Sequence, residues 1–147
     1  METQRKEIPL GNEEQKKEFL EKEYTLALSG EVTTSLIFRN ISTKYIVKIA
    51  IAQAYDKDGN TTGPIVIANE LKPNVFATTP IDQLNFRAVK ASCSYTWRYI
   101  ETGYEDSADA PDVVAHSGDY LRDPEWGIQD PTSFNGQAEI PVKPATI

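Results

Sequence analysis

The sequence predicts an all-β fold, a two-layer antiparallel β-sandwich, on three observations. Apolar residues recur with period two along most of residues 24–100. Short turn signals separate these runs. No helical pattern of about 10–15 residues lies between them, which argues against crossover helices and a parallel sheet. A small barrel is the alternative way to close such strands. The 147 residues are enough for one self-sufficient core, with 39% hydrophobic and 25% charged residues.

The chain divides into three stretches. Residues 1–23 form an N-terminal arm with a short helix over 13–22, "EEQKKEFLEK". Asn12 is its N-cap, with Gln15 at the capping-box spacing, and Glu13–Lys17 and Glu18–Lys22 are i,i+4 ion pairs. Its apolar stripe, Phe19 and Leu20, is too thin to anchor a core.

Residues 24–101 are the predicted sandwich. "YTLALSGEV" alternates Tyr24, Leu26 and Leu28 with polar or small residues. "SLIFRNIS" places Leu36 and Phe38 on one face, and Ile37 and Ile41 on the other beside Arg39. "YIVKIAIAQAY" sets Tyr45, Val47, Ile49, Ile51 and Tyr55 opposite Ile46, Lys48, Ala50, Ala52 and Ala54, and the large set is expected in the core. "PIVIANEL" and "NVFATTPI" follow, divided by the turn "KPN" at 72–74. "NFRAVKASCSYTWRYIE" ends the run with Cys93, Tyr95, Trp97 and Tyr99 on one face and Ser94, Thr96 and Arg98 on the other.

Beyond Glu101 the period dissolves, and residues 102–147 read as an acidic tail, extended or docked, with five of the nine prolines. The overall charge of −7 is concentrated here: residues 1–100 hold 13 basic against 12 acidic groups, residues 101–147 hold 2 against 10. Such a tail repels phosphate backbones and the body has no basic stripe, so nucleic acid is not an expected partner. No apolar run approaches the roughly 20 residues needed to cross a bilayer, so no membrane span is expected. The first residues lack a secretory apolar stretch, which favours cytoplasmic synthesis without a signal peptide. The single cysteine, Cys93, excludes an internal disulfide and any zinc site needing two thiolates.

"DKDGN" at 56–60 spaces Asp56, Asp58 and Asn60 as a calcium loop would. An EF-type loop needs glycine at its sixth position and a bidentate glutamate at its twelfth, where this chain has Thr61 and Ile67. Strand patterns flank it instead of helices, so a hairpin turn is expected, without a metal. His116, the only histidine, sits in one loop with Ser117 and Asp119, and Glu105 and Asp106 are adjacent acids. Neither arrangement places groups on converging elements, and no phosphate-loop, dinucleotide, GxSxG or HExxH motif occurs. No catalytic residue, cofactor or metal is assigned. Asn40-Ile41-Ser42 and Asn60-Thr61-Thr62 fit the N-glycosylation pattern but are incidental without a signal peptide.

"GEV" at 30–32, "FRNIS" at 38–42, "YIVKIAIAQAYDKDGN" at 45–60 and "LKP" at 71–73 follow in the order of the bacterial FxLYD-type immunoglobulin-like domains. Residues 28–100 resemble that family, with Asn74 where glycine is usual. The resemblance implies a short immunoglobulin-like β-sandwich and a non-catalytic module, of a kind common on extracytoplasmic proteins.

The expected function is a non-catalytic structural or interaction subunit. It assembles with itself or with protein partners in a virion, appendage or multiprotein machine through its terminal arms. Tyr120, Leu121, Trp126, Ile128 and Phe134 are the candidate partner anchors, being large apolar groups with no evident core of their own. The alternative is a small-ligand or carbohydrate-binding module that uses the row Tyr95, Trp97 and Tyr99, if that face is open rather than packed in the core. A membrane-active β-sandwich toxin is a third reading, raised by the tyrosine and tryptophan content.

Overall fold

The computed structural model describes residues 6–9, 34–83, 86–129 and 142–143. These hold nine strands: β1 (Lys6–Pro9), β2 (Ser35–Asn40), β3 (Tyr45–Tyr55), β4 (Ile65–Leu71), β5 (Val75–Pro80), β6 (Lys90–Tyr99), β7 (Glu105–Val114), β8 (Glu125–Ile128) and β9 (Val142–Lys143). Among the described residues there is no helix. The expected helix at 13–22 and the strand at 24–32 lie outside them, as does Phe134.

Two sheets are formed, a five-stranded one in the order β1-β5-β2-β8-β9 and a four-stranded one in the order β4-β3-β6-β7. The architecture is all-β and sandwich-like, as period two requires. Every ladder is antiparallel except that of β2 with β8, which is parallel from Ile37↔Glu125 to Asn40↔Ile128.

The core lies between the sheets. From the five-stranded sheet come Leu36, Phe38, Ala77, Trp126 and Ile128; from the other come Val47, Ile67, Leu71, Tyr95 and Trp97. The five-stranded sheet is buried on its second face too: Ile37 and Phe76 are at most 1% exposed, yet stand outside that core cluster. That explains why "SLIFRN" reads as a nearly continuous apolar run rather than a clean alternation.

The structure differs from, or adds to, the sequence reading at two points. In β3, Tyr45 and Val47 point inward as expected, but Ala50, Ala52 and Ala54 are the buried residues beyond them, while Ile49, Ile51 and Tyr55 are only half-buried. The β3·β6 register shifts between Val47 and Ile49. A bulge adds one residue to one strand, so the alternation reverses after it. Small residues then face the core from this half of the sheet: Ala50, Ala52, Ala54, Ala91 and Cys93 share one buried cluster with the bulky Phe38, Trp126 and Leu121. Large against small across a sheet interface lets the layers interdigitate at core density.

The second point concerns residues 102–147, read from the sequence as an acidic tail, extended or docked. Glu105–Val114 is β7, ten residues paired along β6, so the ordered sheet runs well past Glu101. Its inward positions are Asp106, Ala108, Ala110 and Val113, and its outward ones include Glu105, Ser107 and Asp109. The alternation is present but written in small and acidic residues of low strand propensity. Such chemistry suits an edge strand, where carboxylates and Pro111 discourage pairing with another chain.

Candidate functional site

The residues expected to anchor a partner are largely interior. Leu121, Trp126 and Ile128 are 0% exposed and belong to the central cluster. β8 carries two of them because it pairs with β2, where Trp126 stands opposite Phe38. The Trp126 indole Nε1 donates to the carbonyl of Pro111 at 3.1 Å and so ties β8 to the edge strand of the other sheet. These side chains close their own core and are not exposed as anchors. Tyr120 is half-buried, and the Arg87 guanidinium lies 4.7 Å from its ring centre.

The row Tyr95, Trp97 and Tyr99 is interior as well, at 2%, 1% and 7% exposure. Tyr45 meets Trp97 edge-on at 4.8 Å and Tyr99 at 5.0 Å, and Phe38 approaches Tyr95 at 5.8 Å from the facing sheet. Stacked into the core by Tyr45 and Phe38, the row is not an open ligand platform. Both tryptophans are thus enclosed, whereas Tyr104 is exposed and Tyr55 and Tyr120 are half-buried. Among the described residues, no helix is long and apolar enough to cross a membrane.

The 56–60 segment is a self-contained turn. Asp56 Oδ1 accepts the amides of Asp58 and Asn60, each at 2.9 Å, and Oδ2 accepts Asn60 Nδ2 at 3.0 Å. The side-chain hydrogen bond from Asn60 is the largest influence on the Asp56 carboxyl; desolvation opposes it, and with the backbone donors of Asn60, Asp58 and Gly59 the carboxyl is held below its ordinary value. Gly59 takes the left-handed conformation that closes it, with φ 84°. The carboxylate that would head a calcium loop is therefore engaged in building a hairpin turn. Among the described residues no group of three or more metal-ligating side chains gathers.

The catalytic candidates do not converge. The Asp119 amide donates to the His116 carbonyl at 2.9 Å, so His116, Ser117 and Asp119 are exposed positions of one tight turn. Glu105 and Asp106 are consecutive on β7 and point to opposite faces of the sheet: Glu105 accepts from Lys48 Nζ at 2.8 Å, and Asp106 accepts from the Tyr104 hydroxyl at 3.4 Å. Asn40, first residue of one glycosylation pattern, is 0% exposed and its amide is consumed inside the fold.

Sequence reasoning missed a charged group on the second face of the five-stranded sheet. Arg39 Nη1 lies 3.3 Å from Glu125 Oε2, and Arg122 Nε lies 3.8 Å from Asp123 Oδ2, whose Oδ1 accepts the Ser35 amide at 3.0 Å. Arg122, Asp123 and Glu125 are each at most 8% exposed. The signal was there in "LRDPE", a string of opposite charges, but only the β2·β8 pairing brings Arg39 to it.

The outer positions of the five-stranded sheet belong to the two ends of the chain. β1 pairs with β5 from Lys6↔Thr78 to Pro9↔Val75, and β9 pairs with β8 through Glu125↔Lys143 and Trp126↔Val142. The four-stranded sheet ends in β4 and β7. Val66 on β4 is 45% exposed, and Ile100, Tyr104 and Val114 are exposed at or beyond the ends of β6 and β7. No protein-family model, no curated protein and no solved structure matches the chain.

Proposed function

We propose that the protein is a non-catalytic interaction protein built on an immunoglobulin-like β-sandwich, and that it assembles, with itself or in a larger complex, through its terminal strands. One observation carries this reading: segments near both ends of the chain enter the same sheet as its outermost strands. An edge strand held by main-chain hydrogen bonds docks with little demand on side-chain identity, and the same ladder forms with the edge of a neighbouring copy. β1 is joined to β2 through residues 10–34, a connection long enough to serve either edge. The resemblance of residues 28–100 to FxLYD-type domains supports the immunoglobulin-like assignment and the non-catalytic role. The anchors of the tail change meaning in this reading: Trp126 and Ile128 fix the body, and the strands beyond them make the contact.

Light scattering across a wide concentration range tests it. The expected mass rises with concentration, and a variant lacking residues 1–9 loses that rise while taking up a synthetic peptide of residues 1–12 in trans. A full-length chain that stays monomeric and exchanges no labelled peptide overturns the reading.

A further inference from the structure

A second surface stands apart from the terminal strands. At one end of the sandwich the β3–β4 turn, the segment between β5 and β6, and the loop between β7 and β8 meet around a cleft of about 650 Å³. Its base is fixed by backbone hydrogen bonds: Val89 to the Tyr55 carbonyl at 2.8 Å, Ala115 to the Val89 carbonyl at 2.9 Å, and Leu121 to the Ala88 carbonyl at 2.6 Å. The cleft is therefore built on strand ends rather than on free loops.

Two chemistries face each other there. The rings of Phe86 and Tyr120 are half-buried in the wall, and Arg87 is held against Tyr120 by the cation–π contact. Around them Asp58, Gln83 and Asp119 are exposed, and their side chains make no hydrogen bond among the described residues. Asp56, by contrast, is occupied within its turn. Counting Asp56 and Lys57, which also border the cleft, carboxylates and cations are nearly balanced, so neither a phosphate nor a polycation is favoured by the local field.

The geometry points to a binding site for a neutral mono- or disaccharide. A sugar presents an apolar C–H face, which suits a half-buried aromatic ring, and a rim of hydroxyls that both donate and accept. Carboxylates, an amide and a guanidinium with free valences match that rim, because each accepts or donates to a hydroxyl without a charged ligand having to be desolvated. The volume falls within the usual range for small-molecule pockets, with few polar groups setting orientation. This site is independent of the terminal strands and of the row Tyr95, Trp97 and Tyr99, which faces the core.

The test is an amide-resolved NMR titration of the full chain with glucose, galactose, mannose, N-acetylglucosamine, cellobiose, maltose and lactose. At least one sugar is expected to saturate with a Kd near or below about 1 mM. Its shifts should centre on residues 56–58, 86–87 and 118–120. Tyr120→Ala and the exposed substitutions Asp58→Asn and Asp119→Asn should each weaken that sugar by about tenfold. The two asparagine variants keep the thermal midpoint, so they decide the matter if Tyr120→Ala does not fold. Absence of saturation by every sugar, shifts centred on another surface, affinity indifferent to both asparagine variants, or preferred binding of inorganic phosphate or choline overturns the proposal.

Discussion

The side-chain amide of Asn40 donates to the carbonyl of Leu71 at 2.8 Å, joining the middle of one sheet to the last residue of β4 in the other. It also donates to the Tyr45 carbonyl at 2.9 Å, and its Oδ1 accepts the Ser42 amide at 3.1 Å. Asn40 and Ser42 are both 0% exposed, so this polar plug is satisfied from within. Asn40→Ala leaves two buried carbonyls and one amide without this partner, and should lower stability by about 3 kcal/mol, read from urea unfolding. A loss under about 0.5 kcal/mol would show that water replaces the amide at little cost.

Trp126→Ala should cost about 3–5 kcal/mol, because a fully buried indole leaves a large cavity and its hydrogen bond to Pro111 goes with it. Deleting residues 102–147 removes β7, β8 and β9 and should abolish cooperative unfolding and the near-ultraviolet circular dichroism signal. A truncated chain that still melts cooperatively is the contrary outcome.

Asp56 gives a pH signature. Its carboxyl titrates lower in the folded chain than in the unfolded one, so the turn it stabilises is fully supported above about pH 4 and weakens as pH falls through the depressed folded value. The gap in thermal midpoint between the wild type and Asp56→Ala should be constant from pH 5 to 7, within about a degree, and shrink below about pH 4. Millimolar calcium should leave both midpoints unchanged, since among the described residues no group of three metal-ligating side chains gathers.

Among the described residues, two other than glycine hold positive φ: Glu70 at 51° and Asn74 at 64°. Asparagine tolerates this region, which suits Asn74 to the turn between β4 and β5. Asn74→Ala should cost about 1 kcal/mol and Asn74→Gly close to nothing. Glu70→Gly should stabilise by up to about 1 kcal/mol, its exposed ion pair with Arg98 being worth little. Thermal melts of the three variants check the order.

Cys93 is 4% exposed, and burial, followed by the nearby charge of Asp109, pushes its thiol well above the usual range. It should resist a thiol-specific reagent at pH 8 in the folded chain and react at once in denaturant. Rapid labelling of the native protein would mean that β6 opens readily.

Where side chains alternate by size and polarity, as in Tyr95, Trp97 and Tyr99 against Ser94, Thr96 and Arg98, the strand and its inward face were legible in the sequence. The 56–60 turn was too, because glycine and the missing calcium ligands restrict its options. Three features were not. The bulge that turns Ala50 inward depends on β6 pairing and leaves no local mark. β7 hides its alternation in residues that favour solvent. β8 has only four residues, and nothing local distinguishes Trp126 as a core side chain from Trp126 as an exposed anchor until its position beside Phe38 is known. The cleft at the sandwich end escaped notice for the same reason: Asp58, Phe86 and Tyr120 are far apart in sequence and meet only where three connections converge.

The insertion of β8 beside β2 gives the molecule a late kinetic step. Arg39 and Glu125 are 86 residues apart along the chain, whereas β6 and β7 are joined by a short turn in which Gly103 donates to the Tyr99 carbonyl. Closing a long loop loses entropy before any contact rewards it, so the local β6–β7 hairpin should form early and the β2·β8 ladder last. Until that closure, Phe38 and an unpaired edge of β2 remain open to other chains. The refolding yield should therefore fall with protein concentration far more steeply than native stability alone would suggest.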